Sequence, residues 1–506
     1  MKFLLTGLAI DLIVLLVFVL LHAALSMPSL LLPLPFFASA LSLFSTSALA
    51  FGFIYAYLSH PRLRRPLVFI TLVTLVVLLV HFLIISEPST GNIMDEQYYV
   101  PAAKAILEGT QCKPYLAGCN MEHPFLSKAL IAVGMAAFGP TAFGWRLLPV
   151  ILGTACLPLI FAIAWKMSKN KKIAYYSTLL LALDTMFFVN SSAALTDIFI
   201  IFFAMAAFVV YFYNFKVGRF DQYFISGALL GVSTLSKESA IFLIASLVTF
   251  HLLVSKEPIR ARLFSSAKIV LVAVLVFCAG LQVYDSLLTG GQVPSFVNHI
   301  EFMLSYGSSL TCSPFNCPGA FHEPNGATIT PFNWLTYYVP TTYFGSSVKA
   351  CAGSNCQSYV TLAYYGVTNM IETWSTFIWF PVAAMVLYRM LRNKRSNTTL
   401  DQFGFKASTS IRLPFQESEL AVFALVIFCW NYFPYIFLFL AGRVTYPFYF
   451  LPAVPAVALG ASYLITRDKV PKAVVIIFLI AAFVWFFVYF PDKSFLPTSI
   501  RALLGA

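Results

Sequence analysis

Apolar runs of about 20 residues recur from one end of this chain to the other, and no other feature limits its fold as strongly. "LVFITLVTLVVLLVHFLIIS", from Leu67 to Ser86, is one of them. Inside a bilayer every backbone N–H and C=O must be satisfied within the spanning structure itself, so a run of this kind is a helix. Composition agrees. Of 506 residues, 60% are hydrophobic and 10% are charged, whereas a soluble chain carries about a quarter charged residues. The expected fold is an all-α polytopic membrane protein. The opening stretch "MKFLLTGLAIDLIVLLVFVLLHAAL" has an apolar run too long for a signal peptide and a second span behind it, so it reads as a retained first helix.

About thirteen transmembrane helices are expected, near 3–22, 30–57, 67–86, 144–166, 173–190, 195–215, 222–236, 238–255, 269–288, 374–391, 419–440, 444–466 and 472–490. The domain reading is an N-terminal extra transmembrane hairpin over 1–66, a transmembrane core over 67–490 and a short extracytoplasmic tail over 491–506. With the N-terminus inside, "HPRLRRP", "KMSKNKK", "KVGR", "KEPIRAR", "RMLRNKR" and "TRDKVPK" all face the cytoplasm, together holding most of roughly 23 internal Lys and Arg. The net charge of +12 is thus accounted for by loops, and no nucleic-acid partner is expected. Two long segments, 87–143 and 289–373, form extracytoplasmic loop regions.

Cysteine points the same way. Six of the nine fall in those loops in close pairs: Cys112 with Cys119, Cys312 with Cys317, Cys351 with Cys356. Local disulfides in an oxidising compartment explain the pattern. Zinc is the rival, but these are not common zinc spacings. Cys156, Cys278 and Cys429 sit within spans and read as packing residues.

Ionisable residues gather at the outer boundary. Asp95 and Glu96 open the first outer segment; "NMEHPFLSKALIAVG" adds Glu122, His123 and Lys128, and "FGWRLLP" adds Arg146. Asp184 and Asp197 flank one turn; Lys237 and Glu238 stand at another. Charges in a span are costly, so their convergence on one face points to a site. Each has a plainer reading. Lys128 and Arg146 can snorkel to headgroups. Asp184 can be a buried hydrogen-bonding residue, and Lys237 and Glu238 can cap a turn. His123, before a proline, can start a helix. Asp95 and Glu96 can cap the helix that follows, although two adjacent acids exceed what a cap needs.

In their order, the acidic pair, "EHPFLSKALIAVG", "FGWRLLPVILGTACLPLIFAIAWKM", "LDTMFFVNSSAALTDIFIIFF" and "FLAGRVTYPFYFLPAVPAVALG" resemble the protein O-mannosyltransferases and the bacterial lipid A aminoarabinose transferase. The resemblance covers about 67–490 and implies a GT-C fold and a polyprenyl- or dolichyl-phosphate sugar donor. It implies catalytic roles for Asp95, the first acid of the family's pair, for Glu96 and for Asp197. It implies substrate contacts for Glu122 and His123, with Lys128, Lys237, Glu238, Arg443 and Tyr98 as further candidates. One position departs: Ser192 stands where the family usually has an arginine expected to meet the donor phosphate, so Lys237, Arg443 or Lys128 has to substitute.

The chemistry follows. An acceptor hydroxyl is a poor nucleophile at neutral pH, and a carboxylate in reach takes its proton. Fixed negative charge also favours an oxocarbenium-like transition state. The phosphate leaving group needs cations rather than an acid. Asp95 is the base in this reading; Glu96 orients the acceptor or holds the site's shape; Tyr98 and Tyr99 stack on sugar or pack the helix. The acceptor is protein Ser/Thr or a glycolipid. No cofactor is certain. A divalent metal ion stays open, with Glu122, His299 and His322 as candidate ligands. The rival function is a lipid or solute transporter, but no internal repeat or midplane cluster supports it, and no Walker A sequence appears. Two measurements check the topology. A cysteine introduced near Lys113 should be labelled in intact cells, and the six loop cysteines should resist alkylation without reductant. Labelling only after permeabilisation would reverse the orientation.

Overall fold

The computed structural model describes residues 64–109, 119–288, 293–311, 329–336, 340–352, 355–402 and 415–493. The first two expected spans, with most of the hairpin over 1–66, lie outside these residues, as do Cys112, Cys312, Cys317, His322 and the tail beyond 493.

The chain runs α1 (Arg64–Ile84), α2 (Glu96–Leu107), α3 (Leu126–Phe138), α4 (Ala142–Ser168), α5 (Lys171–Leu183), α6 (Thr185–Ser191), α7 (Asp197–Phe212), α8 (Gln222–Ser236) and α9 (Ile241–Val254). It continues with α10 (Ile259–Leu288), α11 (Phe296–Ser309), α12 (Asn333–Thr336), β1 (Thr341–Ala352), β2 (Asn355–Gly366), α13 (Met370–Trp374), α14 (Thr376–Gln402), α15 (Phe415–Leu440), α16 (Val454–Ile465) and α17 (Lys472–Tyr489). Among the described residues six helices are long and apolar enough to cross a membrane, or seven if α5 and α6, bent by 66°, make one span. The eleven expected spans after residue 66 each coincide with helix, but several of those helices are shorter than a bilayer crossing.

Two differences concern the outer segments. The first carries α3, an apolar helix buried along most of its length, as well as the expected amphipathic α2. The second is not all helix: β1 and β2 form an antiparallel hairpin. Cys351 faces Cys356 in its register, and Cys119 is disulfide-bonded.

Burial sorts the helices. α4, α7 and α16 are buried on most sides. α1 and α17 expose Leu72, Leu75, Leu79, Ile476, Ile477 and Phe483, the surface a bilayer covers. Small residues allow the close crossings. A Cβ at Gly231 of α8 would lie 2.6 Å from Ala273 O of α10, and one at Gly227 2.7 Å from Ile269 O. That is small-xxx-small packing between membrane helices.

One ion pair ties the loop between α1 and α2 to the bundle. Glu96 and Arg146 are both fully buried. Glu96 Oε1 accepts from Arg146 Nε and Ala194 N, and Oε2 accepts from Arg146 Nη2 and Ile93 N, each at 2.8 Å. Arg146 Nη1 donates to the carbonyls of Ile85, Glu87 and Pro88 at 3.3, 2.8 and 3.2 Å. Tyr364 of β2 donates to Glu87 O at 2.7 Å. Arg146 therefore does not snorkel; its planar fork fits the carboxylate side-on. Removing one member strands a buried charge, so Arg146→Met should destabilise the folded protein by about 3–5 kcal/mol. Thermal melts in detergent check this, and an unchanged Tm would contradict it.

Candidate active site

Residues preceding α2 and α3, the ends of α7, α8, α11 and α15, and the hairpin meet on one face. Met94 N donates to Tyr343 O at 3.2 Å, and Val444 N donates to Leu310 O at 3.0 Å.

Asp95 is the N-cap residue of α2, yet its side chain makes no capping hydrogen bond. It is half-buried, and among the described residues no hydrogen bond to its carboxylate is found. Partial burial pushes its pKa up; the charges of Lys237 and His123 pull it back, and Asp197 adds to the rise. The carboxyl is thus a poorly solvated base with cations in reach. Glu96, next in sequence, points the other way. All its lone pairs are used within the scaffold, so of its two expected roles the geometry supports holding the site's shape.

Asp197 opens α7 and is bound at both oxygens by Lys237 Nζ, at 2.9 and 2.8 Å. Lys237 is 3% exposed at its side chain, and its Nζ sits 5.2 Å from the ring centre of Phe448 and 5.5 Å from that of Tyr449. Its charge is committed to Asp197 and two aromatic faces, which makes it a poor first contact for a lipid phosphate. Lys128 is fully buried and donates to His123 O at 2.8 Å and to the backbone and side-chain oxygens of Asn120. It braces the turn before α3 instead of reaching headgroups. Ser192 is buried too, its Oγ donating to Phe188 O at 2.8 Å, so it has no hydroxyl proton left for a ligand.

Arg443 differs. It is half-exposed, with Nη1 donating to Leu310 O at 3.0 Å, and its charge reaches Tyr306, Tyr446 and Tyr449. Tyr306 and Tyr446 also feel Asp95. Tyr98 is 50% exposed. Tyr446 stacks on Phe448 with ring centres 5.3 Å apart. Tyr306, Tyr446, Phe448 and Tyr449 are not among the expected site residues; the aromatic run "TYPFYF" is the signal for the last three, and Tyr306 has none in its local sequence.

His123 Nδ1 lies 3.0 and 3.2 Å from the two oxygens of Glu238, which is 44% exposed at its side chain. Glu122 accepts from Asn120 Nδ2 at 2.8 Å. His299 does not join them as a metal ligand. Its Nδ1 is 2.8 Å from Asp285 Oδ1 and its Nε2 2.9 Å from Met121 O. Both ring nitrogens are engaged by protein groups, so neither is turned toward Glu122. Among the described residues no three His, Cys, Asp or Glu side chains come together as ligands, and the third candidate ligand, His322, lies outside them. Asp184 takes the plainer role, accepting from Phe187 N at 2.8 Å and Asn369 N at 2.9 Å.

Residues 122–282 match the family Dolichyl-phosphate-mannose-protein mannosyltransferase. A polyprenol-phosphate-mannose–protein mannosyltransferase of Mycolicibacterium smegmatis is 31% identical over 139 residues, which is 27% of this chain and 27% of the relative. The chain thus spans about a quarter of the length of the curated relatives it matches. The Saccharomyces cerevisiae protein O-mannosyltransferase Pmt1–Pmt2 complex bound to the sugar donor superposes with a TM-score of 0.54 at 12% identity, covering 84% of this chain and 89% of that one. ArnT from Cupriavidus metallidurans in the apo state gives a TM-score of 0.50 at 14% identity, covering 81% and 61%. In sequence over residues 122–282 and in fold over most of its length, the chain resembles the protein O-mannosyltransferases.

Proposed function

We propose that this protein is a polyprenyl-phosphate-sugar-dependent glycosyltransferase. It moves mannose or another hexose to an acceptor hydroxyl, on protein Ser/Thr or a glycolipid, at the extracytoplasmic face of the membrane. The observation that carries the reading is the Asp95 carboxylate, half-buried and without a scaffold hydrogen bond among the described residues, while its neighbour Glu96 is saturated. The name of the mycobacterial relative supports mannose as the first sugar to try.

In this mechanism the acceptor oxygen attacks the anomeric carbon from the face opposite the phosphate. Its proton passes to Asp95, the bond from the anomeric carbon to the phosphate oxygen breaks, and polyprenyl phosphate leaves, inverting the configuration. Partial desolvation makes Asp95 a stronger base than a surface carboxylate. Arg443, half-exposed and within reach of the tyrosines around Asp95, meets the leaving phosphate, which needs positive charge rather than a proton. Tyr98, Tyr306 and Tyr446 offer aromatic surfaces to a sugar. The Asp197–Lys237 pair supports the floor of the site and tunes Asp95 from behind.

Purified protein, polyprenyl-phosphate mannose and candidate acceptors, with mass spectrometry of the products, test the reading. Asp95→Asn keeps the size and should lower transfer about 10²–10⁴-fold. A near wild-type rate in a folded preparation would leave the proposed base without support. Because the folded pKa of Asp95 is raised, the active anion is present above that value and is lost as pH falls through it. The acid limb of the wild-type pH–rate profile should accordingly lie above the ordinary carboxylate range.

Arg443→Ala should raise the KM for the donor while the protein stays folded. Lys128→Met should lower stability instead, since its ammonium holds the turn before α3. An unchanged donor KM in Arg443→Ala would remove the phosphate role from Arg443.

A further inference from the structure

Away from the site, the entry to α14 holds a group of buried oxygens with no protein partner. Both carboxylate oxygens of Glu372, the amide Oδ1 of Asn369 and the Oγ1 of Thr376 are buried and, among the described residues, without a hydrogen bond. The three residues are 1%, 0% and 3% exposed. Asn369 caps α13, and Ser375, in helical conformation, carries the chain from α13 into α14. Glu372 and Thr376 are four residues apart across helical backbone, which at 3.6 residues per turn keeps them within about 40° of one another around the axis, and Asn369 stands at the N-cap three residues before Glu372.

The Asn369 amide has one orientation. Its Nδ2 donates to Leu183 O at 3.0 Å and to Ala482 O at 2.9 Å, both carbonyls. The nitrogen is therefore turned toward α5 and α17, and Oδ1 faces away from them. The charge balance is one-sided. Asp184 lies within electrostatic reach of Glu372 and is itself held by two backbone N–H groups. Among the described residues no lysine or arginine forms an ion pair with either acid.

An unpartnered buried polar atom costs free energy, and a buried unpaired carboxylate costs more. Protonating Glu372 would add one O–H donor, enough for a single acceptor. A hard metal ion would serve all four oxygens at once, because such ions take carboxylate, amide and hydroxyl oxygens together. We propose that Glu372, Asn369 and Thr376 bind a hard cation at the junction of α13 and α14. The ion would tie the hairpin's exit to the bend between α5 and α6, where Asp184 and Asn369 already meet. The site is separate from Asp95 and stands whether or not the transfer activity does.

The test uses the full chain in detergent. Tm is measured in choline chloride and in sodium, potassium, magnesium and calcium chlorides at matched ionic strength. At least one metal salt should raise Tm by a few degrees in a saturable way, and Glu372→Gln and Thr376→Val should each abolish that response. Equal Tm in choline and in every metal salt would overturn the site. So would a metal response that survives both substitutions. Should Glu372→Gln fail to fold, the wild-type titration and the Thr376→Val protein decide the matter.

Discussion

The pairing of Glu96 with Arg146 is the interaction on which the face carrying Asp95 depends. A carboxylate and a guanidinium removed from water gain little unless each remaining hydrogen-bonding position is filled. Here they are filled: backbone N–H groups of Ile93 and Ala194 complete the carboxylate, and the carbonyls of residues 85, 87 and 88 complete the guanidinium. The pair thereby fastens the end of α1, the start of α2, the body of α4 and the turn before α7 at a single point. Asp95 precedes Glu96 by one residue, so the position of the proposed base is set by the anchoring of its neighbour. Adjacent acids have opposite duties because successive side chains at a helix start point in different directions.

Similar polar contacts recur around the site. Lys128 braces the turn that presents Glu122 and His123. His299 links Asp285 to the backbone of Met121, joining α10 and α11 to that same turn. Asp197 and Lys237 neutralise one another behind Asp95. In each case an ionisable side chain serves geometry, whereas Asp95, Arg443 and the His123–Glu238 pair are more accessible. The proposed glycosyl transfer needs this division, since a reacting carboxylate is useful only if something else holds the loops in place.

Much of the bundle was legible in the chain. The apolar runs gave the helices after residue 66, because backbone satisfaction in a bilayer leaves few alternatives. The breaks at Ser192 and Lys237 were marked by polar residues between such runs, whereas the 66° bend at Asp184 falls inside the expected span 173–190. The hairpin over 341–366 was not legible, since its strands are short of the strict alternation that signals a half-buried sheet and lie among paired cysteines and aromatics. The burial of α3 was missed because its 13 residues are too few for a span.

The order of the motifs and the acidic pair pointed to the proposed site near residue 95 and suggested a sugar-phosphate chemistry. What the sequence by itself determined is therefore the membrane architecture, the gathering of charge toward one face and the candidacy of Asp95. Only the tertiary structure decided which charges are spent. Lys128, Arg146 and Lys237 look alike as isolated basic residues at helix ends, and all three prove to be buried. Their partners, Asn120, Glu96 and Asp197, are distant from two of them in sequence by 50 and 40 positions. The pairing of charges is a non-local property of packing, and local sequence pattern carries no record of it.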